Sequence, residues 1–169
     1  MHTKWIDAGT PVGYGWTWKA GRRTRLGLVP VGYADGYPAV LSNQSVVRIC
    51  RGGIEGEWWD VPVVGQVSMD QMMIDLTEVP VEDAGVDTEV ELLSAEVDAP
   101  NNLTAIAKLA GVVPYAVLCG LSSRIPRRYV NHREVAGGYV GHRNVEGYSG
   151  CARGGVVVGP TLAGIRTSR

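Results

Sequence analysis

Arg25-Leu26-Gly27-Leu28-Val29-Pro30-Val31, running directly into Gly32-Tyr33-Ala34-Asp35-Gly36-Tyr37-Pro38, is the stretch that decides the fold. Leu26, Leu28 and Pro30 alternate with Arg25, Gly27, Val29 and Val31, and a mostly apolar run of period two that ends in a Gly/Asp/Pro cluster reads as a strand entering a turn. The same texture recurs downstream. Residues 45–50 read as a second strand closed by Arg51-Gly52-Gly53, residues 61–67 as a third, residues 72–76 as a fourth and residues 88–93 as a fifth. Pro62 is expected at the start or edge of its strand, because proline has no N–H to give to a ladder. One segment speaks for helix: Leu103, Ile106, Ala107 and Ala110 fall at i, i+3, i+4 and i+7, with Asn102 placed to cap the start and Gly111 to end it. Short strands separated by turn signals, with a single short helix, predict a mainly β domain, a barrel or sandwich with the helix as plug or flank.

Composition narrows the function classes. Hydrophobic residues make up 45% of the 169 and charged residues only 20%, which is the balance of a globular domain. A formal net charge of -1 leaves no electrostatic surplus for phosphate backbones or anionic lipid, so neither nucleic acid nor membrane is expected as a partner. The first residues, Met1-His2-Thr3-Lys4-Trp5-Ile6-Asp7, hold no apolar run, and no stretch approaches the roughly 18 apolar residues of a spanning helix. Cys50, Cys119 and Cys151 lack metal spacing and show no disulfide framework, so the expectation is no metal, no disulfide and a cytoplasmic setting. Residues 1–130 are expected to form one domain. Residues 131–169, Gly-rich and without sustained period, are expected to be a weakly ordered tail in which Gly154-Gly155-Val156-Val157-Val158-Gly159 is a candidate edge strand.

Several motifs carry more information together than apart. Tyr14 lies between Gly13 and Gly15, Asp35-Gly36 is a turn dipeptide flanked by Tyr33 and Tyr37, and Met69 lies between Ser68 and Asp70. Each alone has a bland reading: a rim tyrosine, a hairpin connection with exposed tyrosines, a core methionine beside a turn-forming aspartate. Tyr115, after Pro114, would ordinarily pack its ring and wet its hydroxyl. A phenol at Tyr14 could act as a general acid or base only if a neighbouring cation or donor lowered its ordinary pKa of about 10. Other catalytic patterns are absent. Trp18 breaks a dinucleotide fingerprint begun by Gly13 and Gly15, there is no G-x-S-x-G, and His132 and His142 lie in the tail.

In sequence order, Pro11-Val12-Gly13-Tyr14-Gly15 with Thr17-Trp18, then residues 29–38, then Val64-Gly65 and Val67-Ser68-Met69-Asp70-Gln71, then Pro114-Tyr115, then Ser123-Arg124-Ile125-Pro126-Arg127 closely resemble the C-terminal β-domain of alanine racemase, over about residues 5–130. The resemblance implies a β-barrel of that domain's type and an isomerase interconverting L- and D-alanine for cell-wall synthesis. It also implies pyridoxal 5'-phosphate, which stabilises the carbanion left by α-proton removal, and two bases on opposite sides of it. By resemblance, Tyr14 matches the tyrosine base and Tyr33 a tyrosine of the inner substrate entrance. Met69 matches the residue whose backbone N–H meets the substrate carboxylate, Tyr115 a tyrosine hydrogen-bonded to the cofactor phosphate, and Asp70 and Asp35 supporting residues.

The family's N-terminal (β/α)8 barrel, which carries the cofactor lysine, has no counterpart here, and the only lysines are Lys4, Lys19 and Lys108. The resemblance therefore implies a half-site that works against a barrel domain or chain, in a homodimer in the full enzyme, with the isolated chain inactive. Ala39 and Gln66 stand where the family usually has Arg. The alternative is a non-catalytic β-barrel interaction or regulatory module, or a truncated remnant.

Overall fold

The computed structural model describes residues 2–51, 57–86, 88–125 and 156–158. Its strands are β1 (His2–Ile6), β2 (Pro11–Val12), β3 (Trp18–Lys19), β4 (Thr24–Val29), β5 (Val46–Cys50), β6 (Trp58–Val64), β7 (Met72–Asp75), β8 (Val90–Leu93) and β9 (Val156–Val158), and its helices are α1 (Leu103–Ala110) and α2 (Pro114–Gly120). β1-β4-β7-β6-β5-β8-β9 is the spatial order of one sheet, antiparallel at every step, and β2-β3 is a separate two-stranded ribbon. Among the described residues no ladder joins β9 back to β1. The mainly β class expected from the strand texture is the class observed.

Both faces of the middle strands are covered, which explains why their alternation looked apolar at nearly every position. Val29, Val61, Val63, Met72 and Ile74 belong to the main core, which also receives Ile106 and Ala107 of α1 and Val117 of α2. Their neighbours in sequence, Val64 and the partly buried Met73, point the other way and join Ile6, Val12, Ala20 and Leu26 in a smaller cluster under the ribbon. Strands buried on both faces lose the clean in/out pattern of a half-solvated sheet.

Three sequence expectations are corrected. There are two helices: α2 begins at Pro114, pre-set for a first helical position, after an extended Val113 with no side-chain cap. Pro62 lies inside a central strand. It is tolerated there because Val63 N–H donates to Ser45 on the β5 side, so the adjacent Pro62 nitrogen faces β7, whose ladder with β6 covers only Val63 and Val64. Cys50, at the end of β5, is disulfide-bonded, whereas Cys119 is free and exposed. Three cysteines without paired spacing carried no sign of that bond.

α1 is capped as its sequence foretold, with Ala105 N–H donating to Asn102 Oδ1 at 2.9 Å and Gly111 ending it in the left-handed region. No single helix among the described residues is long and apolar enough to cross a membrane. Of the tail expected at 131–169, Val156–Val158 form an edge strand on β8. The remainder of that expectation lies outside the described residues.

Candidate functional site

Three loops, each carrying one of the sequence motifs, meet at one end of the sheet. The first is a 3-10 turn at Tyr14–Trp16, between the two strands of the ribbon; Val12 pairs with Trp18 at its base. The ribbon is anchored from below by Val12, Ala20 and the partly buried Trp18 in the smaller apolar cluster. The second is a 3-10 turn at Tyr33–Asp35, shortly after β4, closed by Gly36 at φ 100°. Asp35 is buried and its Oδ2 accepts from Gly32 N–H at 3.0 Å, so the aspartate of this motif holds its own turn shut. The third is the loop between β6 and β7, in which Ser68 N–H and Oγ both donate to the Gln71 carbonyl, at 2.9 and 2.8 Å.

Close backbone contact welds these loops. A Cβ built on Gly32 would lie 2.1 Å from the Ser68 carbonyl oxygen and 2.4 Å from that of Met69, so only glycine lets the second loop lie on the third. Tyr33 and Ala34 N–H then donate to those two carbonyls, each at 3.0 Å. The carbonyls are thereby used, while the Met69 N–H has no acceptor among the described residues. The second loop is joined in turn to α2, since a Cβ at Gly36 would lie 2.2 Å from the Gly120 carbonyl oxygen.

Charge reinforces the weld. Arg124 Nη2 donates to Asp70 Oδ1 at 2.7 Å and its Nε lies 3.6 Å from Asp35 Oδ1, while Ser122 N–H donates to the Asp35 carbonyl at 3.0 Å. The hydrogen bond to Asp70, then the charges of Asp35 and Asp70, raise the Arg124 pKa, so the guanidinium keeps its charge. Asp70 and Asp35 are thus held by one arginine, and that arginine ties the third loop, the second loop and the segment after α2 together.

Four of the sequence-selected side chains are exposed. Tyr14 is 71% exposed, Tyr33 52%, Met69 52% and Tyr115, near the start of α2, 76%. Tyr33 and Met69 are brought together directly by the backbone pairing above, and Tyr14 is brought to the third loop through Gly13, whose Cβ position lies 2.8 Å from Gln66 N. Tyr115 is connected through α2 and the Gly36–Gly120 contact. Among the described residues no group hydrogen-bonds the Tyr14 hydroxyl. Tyr37, the second tyrosine of the turn motif, is not exposed: its ring is in the core and its hydroxyl donates to Ser45 Oγ at 2.8 Å.

The sequence reading passed over Ser42 and Asn43, which stand beneath the first and third loops. Ser42 Oγ accepts from Val67 N–H at 2.9 Å and Asn43 Oδ1 from Gly65 N–H at 2.6 Å. A polar pair following an apolar 3-10 turn was the available signal, but it does not reveal partners more than twenty residues away.

Residues 1–129 match the family model described as alanine racemase, C-terminal domain. The chain is 40% identical over 131 residues to an alanine racemase of Halothermothrix orenii, covering 78% of the chain and 32% of that protein. It is 42% identical over 127 residues to one of Symbiobacterium thermophilum, covering 75% and 31%. Among solved structures it resembles the alanine racemase of E. faecalis, with TM-score 0.63, 33% identity, and 77% and 32% coverage. It also resembles that of Bartonella henselae with covalently bound pyridoxal phosphate, with TM-score 0.62, 30% identity, and 76% and 33% coverage. The chain spans about a third of the length of these relatives.

Proposed function

The chain belongs to the alanine racemase C-terminal domain family, and from that premise we propose that it is the tyrosine-bearing half of a pyridoxal-phosphate-dependent amino-acid racemase acting on alanine. The observation that carries this reading is the convergence of three sequence-separated loops into one end of the molecule, with exposed phenols and with the Met69 N–H among the backbone donors that no acceptor of the described residues takes up. An enzyme site complete in itself would enclose such groups. A surface that presents them is half of a site, to be closed by a partner.

The residues present fit the periphery of the cofactor and not its attachment. Covalent attachment needs an amine at the site, and none of Lys4 on β1, Lys19 on β3 and Lys108 in the last turn of α1 lies within the three loops. Pyridoxal phosphate, held by a (β/α)8 barrel in another chain or another part of a longer one, supplies the electron sink for the α-carbanion. Tyr14 gives a proton to, or takes one from, the α-carbon on one face. The exposed phenol acquires the cation or donor it needs for that role from the partner. The Met69 N–H receives the substrate carboxylate, Tyr33 narrows the entrance so that a small amino acid is admitted, and Tyr115 donates to the cofactor phosphate. Asp35, Asp70 and Arg124 hold these groups in place. In the full enzyme the arrangement belongs to a homodimer, and the product serves cell-wall synthesis.

Titration of the full chain against a cofactor-loaded racemase barrel, read as L/D-alanine exchange, tests the proposal. Exchange should appear only in the mixture, and Tyr14→Phe should lower it by about a hundredfold to ten-thousandfold, the worth of a general acid–base group. A borohydride-stable adduct on a lysine of this chain alone, or full exchange with Tyr14→Phe, would overturn it. A second reading, a non-catalytic interaction module, is favoured by Ala39 and Gln66, which leave the loops without two cations. Under that reading the barrel is still bound but Tyr14→Phe changes nothing.

A further inference from the structure

The first loop bends in an unfavourable way. Gly13, Gly15 and Trp16 all have positive φ, at 75°, 65° and 51°, and among the described non-glycine residues only Trp16 and Asn43 do. A side chain in that region is strained unless its surroundings hold it there. The backbone returns to an ordinary helical conformation at Thr17. Thr17 is where the bend is anchored, because its Oγ1 accepts a hydrogen bond from Asn43 Nδ2 at 3.1 Å.

Asn43 itself sits at φ 61°, where asparagine is among the few residues tolerated. Its amide uses both ends: Nδ2 reaches the Tyr14 loop at Thr17, and Oδ1 accepts from Gly65 N–H at the root of the Met69 loop. Ser42 adds a second hold on that loop through Val67 N–H, and is fixed by donating to the Ala39 carbonyl. One planar amide thus spans the two loops that, on the proposed function, must address the same small substrate from two directions. Aspartate would keep the acceptor and lose the donor, glycine would keep the backbone conformation and lose both, and alanine would lose all three.

We propose that Asn43 is the positioning residue that sets Tyr14 against the Met69 N–H, so that the proton-transferring phenol and the carboxylate-binding amide move as one body. This rests on the reading of Tyr14 and Met69 given above. Asn43 touches no reacting atom, and its effect passes through Thr17 and Gly65. Misplacement of a reacting group by about 1 Å costs on the order of a hundredfold in rate, so the coupling acts on kcat more than on KM.

The full chain, without partner, gives the first readout. With ring-labelled tyrosine, the Tyr14 signal is assigned by its loss in Tyr14→Phe, and amide exchange is followed at Gly65 and in β5 and β6. Asn43→Gly should raise Gly65 exchange about tenfold, the worth of a lost hydrogen bond. It should also shift or broaden the Tyr14 signal while β5 and β6 stay protected. Thr17→Val should disturb the Tyr14 signal and leave Gly65 unchanged, and the double variant should add little at Tyr14. Tyr14 signals in both single variants that match the unmodified chain would overturn the proposal. With the barrel added, Asn43→Gly should lower kcat by about a hundredfold with a smaller change in KM. Loss of exchange in Tyr14→Phe together with an unchanged kcat in Asn43→Gly sinks the positioning role alone. Exchange that survives Tyr14→Phe sinks the racemase reading, and the spectra then decide the coupling by themselves.

Discussion

Gly36 shows how little room the site leaves at single residues. It combines φ 100° with a Cβ position 2.2 Å from the Gly120 carbonyl oxygen, so Gly36→Ala meets backbone strain and backbone collision at once. The expected cost is roughly 2–5 kcal/mol, measured by urea unfolding of the full chain. Tyr37 gives a pH signature. Burial, opposed by its hydrogen bond to Ser45, pushes its pKa from 10.0 up to about 12. The folded chain therefore keeps the proton that the unfolded chain sheds above pH 10, so the stability it contributes is present below that pH and is lost as pH rises through about 12. Unfolding between pH 9 and 12 should show a decline that Tyr37→Phe flattens; equal slopes in the two proteins would count against it. Asp35-Gly36 was legible as a turn from sequence. Which of its two tyrosines would be buried was not, because that depends on α2 and Ser45 meeting the turn from elsewhere.

Among the elements, β5 and β8 carry a buried charge pair that their local sequences disguise. Residues 88–93 alternate as a half-exposed strand would, yet Glu91 is 2% exposed and lies opposite Arg48 in the ladder, with Arg48 Nη1 to Glu91 Oε2 at 3.4 Å. Glu96 at 2.7 Å, Ser94 at 3.2 Å and, on the Nε side, Asp60 at 3.7 Å are further partners of the guanidinium, and the Trp58 ring lies 4.4 Å from it. Burial raises the Glu91 pKa and the Arg48 charge opposes that rise. Arg48→Met should destabilise the chain by about 3–5 kcal/mol, because it strands a buried carboxylate. Since the folded pKa of Glu91 lies above 4.5, its contribution is full below that pH and falls as pH rises past it. Glu91→Gln should remove that part of the slope, and identical slopes in chemical unfolding would refute the assignment. α1 was readable because period, cap and stop coincide in one segment. α2 was not, since seven residues after Val112-Val113 give no periodicity to detect and its start uses Pro114 in place of a side-chain cap.

For the whole molecule, the proposed function makes association the consequence of an exposed site. Trp16 is 76% exposed beside Tyr14, and on the proposed half-site a large aromatic is the kind of group that anchors an interface. Trp16→Ala should weaken binding to a cofactor-loaded barrel by roughly 2 kcal/mol, about thirtyfold in Kd. The check is a fluorescence or calorimetric titration, and an unchanged Kd would remove Trp16 from the interface. By itself the sequence determined the strand texture, α1 with both its ends, the motif order and hence the family, because each of these is written in short-range spacing. The tertiary structure decided which glycines are contact points, that Arg124 joins Asp35 to Asp70, that Asn43 spans Thr17 and Gly65, and that Glu91 is buried against Arg48. Those facts depend on partners tens of residues apart, and such partners are chosen only when the sheet forms and the loops at its end are pressed together.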